Sequence, residues 1–224
     1  MAYRIGERPE YPRDFEETLA TFAKVSTGTL GHLTDFGYAI GVEALTRPQK
    51  AVGPAFTVRL PNLDATIVHY AMNIIRPGEV LVLDTTSERN RACWGGVVAH
   101  AAMRAGVAGV IVDGPVTDWA EITVSGPPVW CRGLSSITGR RLGLEGEVLM
   151  PVTVGGAVVH PGDIVFADTD GVFFVRPDGA AELAAALVTR EAREPGLKAR
   201  LDAGEKMGDI SGAAEAVTKA LAGD

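Results

Sequence analysis

The chain has 224 residues, of which 46% are hydrophobic and 22% charged, an ordinary globular composition with enough length for one domain to bury its own core. The net charge is -7 and no stretch gathers Lys and Arg into a stripe, which argues against nucleic acid as a partner. The apolar runs are too short to cross a bilayer, the opening MAYRIGERPEYPRDF is too polar for a signal peptide, and Cys93 and Cys131 lie outside any CxxC motif, so the expectation is a cytoplasmic protein with buried thiols and no membrane partner.

Residues 1–13 read as an arm lying on a surface. Residues 14–24 carry Phe15, Leu19, Phe22 and Ala23 at helical spacing, with Asp14 placed to cap the helix and Glu17 three residues on. Residues 51–60, AVGPAFTVRL, read as a strand interrupted at Gly53-Pro54, and residues 64–75 as a helix with Ile67, Ala71 and Ile74 on one face. In RPGEVLVLD, Pro77-Gly78 make a turn and residues 80–84 a buried strand. Residues 95–106 predict a helix closed by Gly106, and residues 107–113 a second apolar strand.

Strand 80–84, helix 95–106 and strand 107–113 form a βαβ unit, whose strands should be parallel. After residue 126 the chain turns to short β-rich runs separated by Gly155-Gly156, Pro161-Gly162 and Asp170-Gly171. Residues 178–193 and 194–207 return to helix. The class is therefore α/β, with no linker long enough to divide it.

Ligands of open parallel sheets bind beyond the carboxyl ends of the strands. Here that edge holds Asp84, Asp113 and the Gly95-Gly96 helix start. Open backbone N–H groups at such a start suit a carboxylate or phosphate, although two glycines also let a helix pack closely. Asp118, in the turn after the second strand, could hold a hard cation such as magnesium; with Glu121 it equally fits a capping box. The histidines show no ligand pattern: His69 and His100 fall inside helices and read as structural, while His32 and His160 lie near turns. Trp94, Trp119 and Trp130 read as core or interface residues, with Trp119 and Trp130 the candidate interface anchors.

The run WGGVVAHAAMRAGVAGVIVDGPVTDWAEI resembles the signature of the regulator of ribonuclease activity A and its relatives, the 4-hydroxy-4-methyl-2-oxoglutarate aldolases. GPAFTVRL, RPGEVLVLD, PVTVGGAVVHPGDIVFADTDGVFFVRP and GEKMGDISG are similar too. The resemblance spans residues 26–212, leaving residues 1–25 as an arm and helix and 213–224 as a tail. It implies a three-layer β/β/α fold of the swivelling type, assembled as trimers or hexamers, with a site between subunits. It also implies cleavage of small oxo acids through an enolate, with magnesium or manganese as Lewis acid.

Carried over residue by residue, the resemblance makes Asp118 the metal ligand and a catalytic residue. It places the substrate carboxylate at Gly95, Gly96, Val97 and Val98. It brings a Glu of a neighbouring subunit, Glu191 or Glu194, to the metal through water. Thr117 occupies the place of an Arg that contacts the pyruvyl group, and so is both a substrate-binding and a catalytic position. Gly96 replaces an acidic residue that supports the metal's water shell, and His32 replaces an Asp. Arg89, Arg91 and Arg132 are the candidates to restore the missing charge. The expectation is a divergent metal-dependent lyase of aldolase or decarboxylase type. The alternatives are a non-catalytic regulator, or another enolate reaction such as isomerisation or dehydration.

Overall fold

The computed structural model describes residues 2–46, 48–61 and 63–223. In chain order its elements are β1 (Tyr3–Ile5), α1 (Phe15–Phe22), α2 (Thr27–Gly31), β2 (Glu43–Ala44), β3 (Ala51–Arg59), α3 (Thr66–Ala71), β4 (Val80–Asp84), α4 (Gly96–Arg104), β5 (Gly109–Val112), α5 (Trp119–Ser125) and β6 (Val129–Cys131). There follow β7 (Gly146–Val148), β8 (Val152–Val154), β9 (Ala157–Val159), β10 (Ile164–Ala167), β11 (Val172–Val175), α6 (Ala180–Glu191), α7 (Glu194–Asp202), α8 (Met207–Ser211) and α9 (Ala213–Ala222).

The main sheet runs β1-β7-β3-β4-β5-β6-β2, with β3, β4, β5 and β6 parallel to one another and the flanking pairs β7-β3 and β6-β2 antiparallel. The expected βαβ unit is present: β4 and β5 pair in parallel from Val80 opposite Gly109 to Leu83 opposite Val112. Residues 80–83 can all be apolar because both faces are covered. On one face Phe56, Leu81, Leu83 and Val110 pack against Ile67, Val68 and Ala71 of α3, Ala99 and Ala102 of α4, and Ile122 of α5. On the other, Val80, Val82, Ile111 and Trp130 pack against β8, β9, β10 and β11. Behind β10 and β11, a third cluster buries Phe22, Leu30, Phe166 and Leu187. This is the expected β/β/α layering.

Four local expectations are revised. First, β3 is continuous through Gly53-Pro54 and changes partner there: residues 51–54 pair with β10 and residues 55–59 with β4. A side chain at Gly53 would overlap the Gly78 carbonyl, so glycine serves this close approach. Second, Asp14 does not cap α1 with its side chain, because its backbone (φ -94°, ψ 10°) lacks the extended shape a capping residue needs. Third, the opening arm supplies β1, which lies parallel to β7. Fourth, Trp130 is a core residue and not an interface anchor: it is fully buried and its indole N–H donates to the Asp168 carbonyl at 2.7 Å, whereas Trp119 is half exposed.

The helix foreseen over 64–75 shortens to α3, whose start is organised by Asp64. This buried carboxylate accepts the Thr66 N–H at 3.0 Å and hydroxyl at 2.6 Å, and the amides of Leu142 and Leu144 at 2.9 and 2.6 Å. Burial alone would raise its pKa, but these donors outweigh it and hold the carboxyl well below the usual range. Asp64 thus fastens the 142–144 segment to α3. At the other end of the chain, α7, α8 and α9 contain no buried residue.

Candidate functional site

The site grows from residues 92–96, which are gripped on both sides at the carboxyl edge of the sheet. Ala92 donates to the Ile137 carbonyl and accepts from the Gly139 N–H, both at 2.8 Å, while the Trp94 carbonyl accepts the Thr117 N–H at 2.9 Å. Segment 137–139 therefore forms one wall and Thr117-Asp118 the other. Between them lies a crevice of about 210 Å³, lined by Gly95, Val97, Val98, Thr117 and Asp118 on one side and by His69, Thr138 and Gly139 on the other.

Asp118 adopts a left-handed backbone with φ 56°, uncommon for a residue with a side chain. Its Oδ2 accepts the Gly96 N–H at 2.8 Å and its Oδ1 the Thr117 hydroxyl at 3.3 Å. Asp118 therefore caps the start of α4 and not, through its side chain, its own helix α5, so the capping box with Glu121 does not form. Gly95 makes this approach possible: a β-carbon there would lie 2.7 Å from Asp118 Oδ2 and 2.8 Å from the Thr117 methyl. Any side chain at Gly96 would overlap the Glu121 carboxylate. Two carboxylates thus lie at the α4 start, one of them over a backbone position that only glycine leaves open.

The strand-end acids Asp84 and Asp113 serve the framework. Asp84 accepts from Arg59 at 3.3 Å and from the Thr86 amide at 2.8 Å. Asp113 binds both Arg89, at 3.0 Å, and Arg132, and accepts the Gly155 N–H at 3.1 Å. Burial alone would raise Asp113, but these guanidinium groups and the amide hold it below the ordinary carboxylate range. Arg89 and Arg132 are therefore engaged away from the Thr117 position. Arg91 is better placed, since its Nη1 lies 3.4 Å from the carbonyl of Thr138 on the crevice wall.

Glu191 is also engaged within its own chain, accepting the Ser26 N–H at 2.6 Å and the Thr29 hydroxyl at 2.8 Å. Glu194 is exposed on α7, with Lys198 at 3.5 Å. Neither lines the crevice of its own chain. Cys93 does line it, but burial pushes this thiol up to about 12, so it stays protonated.

His69 is the residue that sequence reasoning set aside as structural. It belongs to α3, whose buried stripe Ile67, Val68 and Ala71 turns positions 69 and 70 outward. That stripe was the signal that could have found it. Burial and the nearby Arg141 charge lower its pKa from the ordinary imidazole value.

The sequence pattern of the RraA-like family, described as Aldolase/RraA, matches residues 24–174. The chain belongs to the RraA-like family. This RraA-like chain is 28% identical to Protein DlpA of Legionella pneumophila over 76% of its own length and 29% of DlpA's. It is 33% identical to a Halalkalibacterium halodurans protein provisionally named 4-hydroxy-4-methyl-2-oxoglutarate aldolase, over 63% of this chain and 66% of that one. The chain thus spans less than two thirds of both these relatives. Among solved structures, Streptomyces coelicolor RraAS2, described as an unusual member of the RNase ES inhibitor RraA protein family, superposes with a TM-score of 0.75 at 27% identity, covering 85% of this chain and 100% of that one. Among the described residues no helix is long and apolar enough to cross a membrane.

Proposed function

We propose that this RraA-like protein is a divalent-metal-dependent carbon–carbon lyase that acts on a small 2-oxo acid through an enolate. The observation that carries this reading is Asp118: a strained, left-handed residue holding its carboxylate against the start of α4, at the edge of the sheet where such folds bind ligands. The relatives named as aldolases support the chemistry.

Asp118 is the residue to hold the metal, with Glu121 beside it. One or two carboxylates with room for water suit magnesium or manganese, which keep much of their water and take the rest of their ligands from substrate. When bound, such an ion acts as a Lewis acid and stabilises negative charge developing on the substrate's oxygen. The chain's own contribution is positioning. The Gly96 N–H is taken by Asp118, so a substrate carboxylate falls to the amides of Val97 and Val98 at the positive end of α4. Thr117 offers a hydroxyl where the family has a guanidinium, which weakens the hold on the pyruvyl group. In a trimer or hexamer, Glu194 is freer than Glu191 to reach a neighbour's site.

The test is calorimetric titration of magnesium and manganese into the wild type and Asp118→Asn, alongside pyruvate release from oxaloacetate. Heat of binding lost in the variant supports the reading; equal binding by both proteins overturns it. The second reading, a non-catalytic binding role, is favoured by the likeness to an RNase ES inhibitor family member over all of that chain. It expects no pyruvate release with either metal.

A further inference from the structure

We propose that His69 is the proton carrier of this crevice, taking the hydroxyl proton of a 4-hydroxy-2-oxo acid as it is cleaved and returning it to the enolate carbon. The proposal rests on the lyase reading above and adds a residue to it. Four observations support it. His69 lines the crevice across from Thr117 and Asp118. Its imidazole makes no hydrogen bond to the described residues, so both ring nitrogens are open to a ligand. Its helix is fixed in place by Asp64, which ties α3 to the segment carrying Arg141. And Thr117, opposite, has neither the charge nor the basicity to organise a proton-carrying water.

The ionisable groups around the ring define its state. Arg141 acts on it from the 139–144 segment, and Arg91 reaches the same wall through Thr138. Cys93 is a neutral thiol in the floor, while Asp118 and Glu121 lie at the α4 start on the far wall. Partial burial and then the near Arg141 cation favour the neutral ring, which is the form a base needs at neutral pH.

The step balances. Neutral His69 takes the proton of the C4 hydroxyl as the C3–C4 bond breaks. The oxygen's electrons form the new carbonyl, and the pair from the broken bond stays with C3 as an enolate. The imidazolium then gives the same proton to C3, which completes the methyl group of pyruvate and restores the neutral ring. No oxidant, reductant or net proton is required.

The experiment uses the full chain with manganese and 4-hydroxy-4-methyl-2-oxoglutarate, following pyruvate. His69→Gln should lower kcat about 10²–10⁴-fold, the range of a lost general acid–base, with KM nearly unchanged. Arg141→Gln should shift the acidic limb of the kcat/KM profile to higher pH, because losing the cation raises the imidazole pKa; a purely structural His69 would leave that limb in place. A readout independent of turnover is imidazole NMR: oxalate with magnesium should shift the His69 ring resonances, as a ligand in the crevice lies against the ring. Turnover by the wild type with unchanged kcat in His69→Gln, an unmoved limb in Arg141→Gln, or a His69 resonance indifferent to oxalate overturns this proposal alone. No pyruvate from the wild type overturns both this and the lyase reading.

Discussion

The Asp118 carboxylate accepts the Gly96 amide at 2.8 Å across 22 residues of sequence, so the acid that precedes α5 closes the start of α4. One side chain thereby serves two purposes. It satisfies a helix amide and, on the proposed lyase reading, would hold the cation. A substitution there should act on stability and on ligand binding by different routes, which makes the two separable.

Asp118→Ala should cost about 0.5–2 kcal/mol of stability, the usual loss on removing a capping side chain, and should abolish divalent-ion binding. Asp118→Gly should cost less, because glycine relieves a left-handed backbone that is strained by about 1–2 kcal/mol in other residues. Thermal melts order the variants and calorimetry with manganese reads the ion. Equal melting temperatures for Ala and Gly would contradict the strain at this position.

Gly96→Val should leave the protein folded, since the group it displaces is the movable end of Glu121. It should cut affinity for oxalate, in the presence of magnesium, by at least about tenfold, as for other losses next to a metal site. Unchanged affinity would mean that glycine 96 serves helix packing only.

Thr117 should make the wild type a slow enzyme on oxaloacetate, by about a hundred- to a thousand-fold relative to a protein with the charged donor. Thr117→Arg alone should recover part of the rate, and Thr117→Arg with Gly96→Asp more than the sum, because the aspartate would take the space Glu121 now fills. Pyruvate release by the three variants and the wild type decides it. Fast turnover by the wild type would show that another cation, Arg91 being the best placed, already does this work.

Acid should destabilise the protein partly through Asp64. Its folded pKa lies below the unfolded value, so its contribution is full above about pH 4–5 and is lost as pH falls towards the folded value. Asp64→Asn should cost about 1–3 kcal/mol at pH 7, since one side-chain atom turns from acceptor to donor opposite buried amides. The gap to wild type should narrow by pH 3. A gap of constant size in melts at the two pH values would rule out the linkage.

The framework was legible in the sequence where periodicity and turn residues agreed. VLVLD came out as read, and the helix over 95–106 and the strand over 107–113 are present in shorter form as Gly96–Arg104 and Gly109–Val112, because a doubly buried strand and a helical stripe each leave a plain pattern. Gly95, Gly96, Val97, Val98, Thr117 and Asp118 were all expected near one crevice, and they line it or form its edge. What the sequence hid depends on chain segments meeting. Nothing local says that Asp118 caps a helix 22 residues back, or that Asp113 holds Arg89 and Arg132 away from the site. His69 was hidden for the same reason: a histidine in a short helix acquires a role only from the wall that faces it.

The change of partner along β3 bears on how a ligand enters. Since one nine-residue strand is shared between the main sheet and β10, neither layer can swing away without breaking the ladder of the other. The sheet should therefore melt in a single cooperative step, with the amides of β3 among the slowest to exchange with deuterium. A crevice on so stiff a base cannot gape from below. Traffic through it has to be governed at the rim, by the 137–144 segment and by α5, and those are the places to look for faster exchange when oxalate is withdrawn.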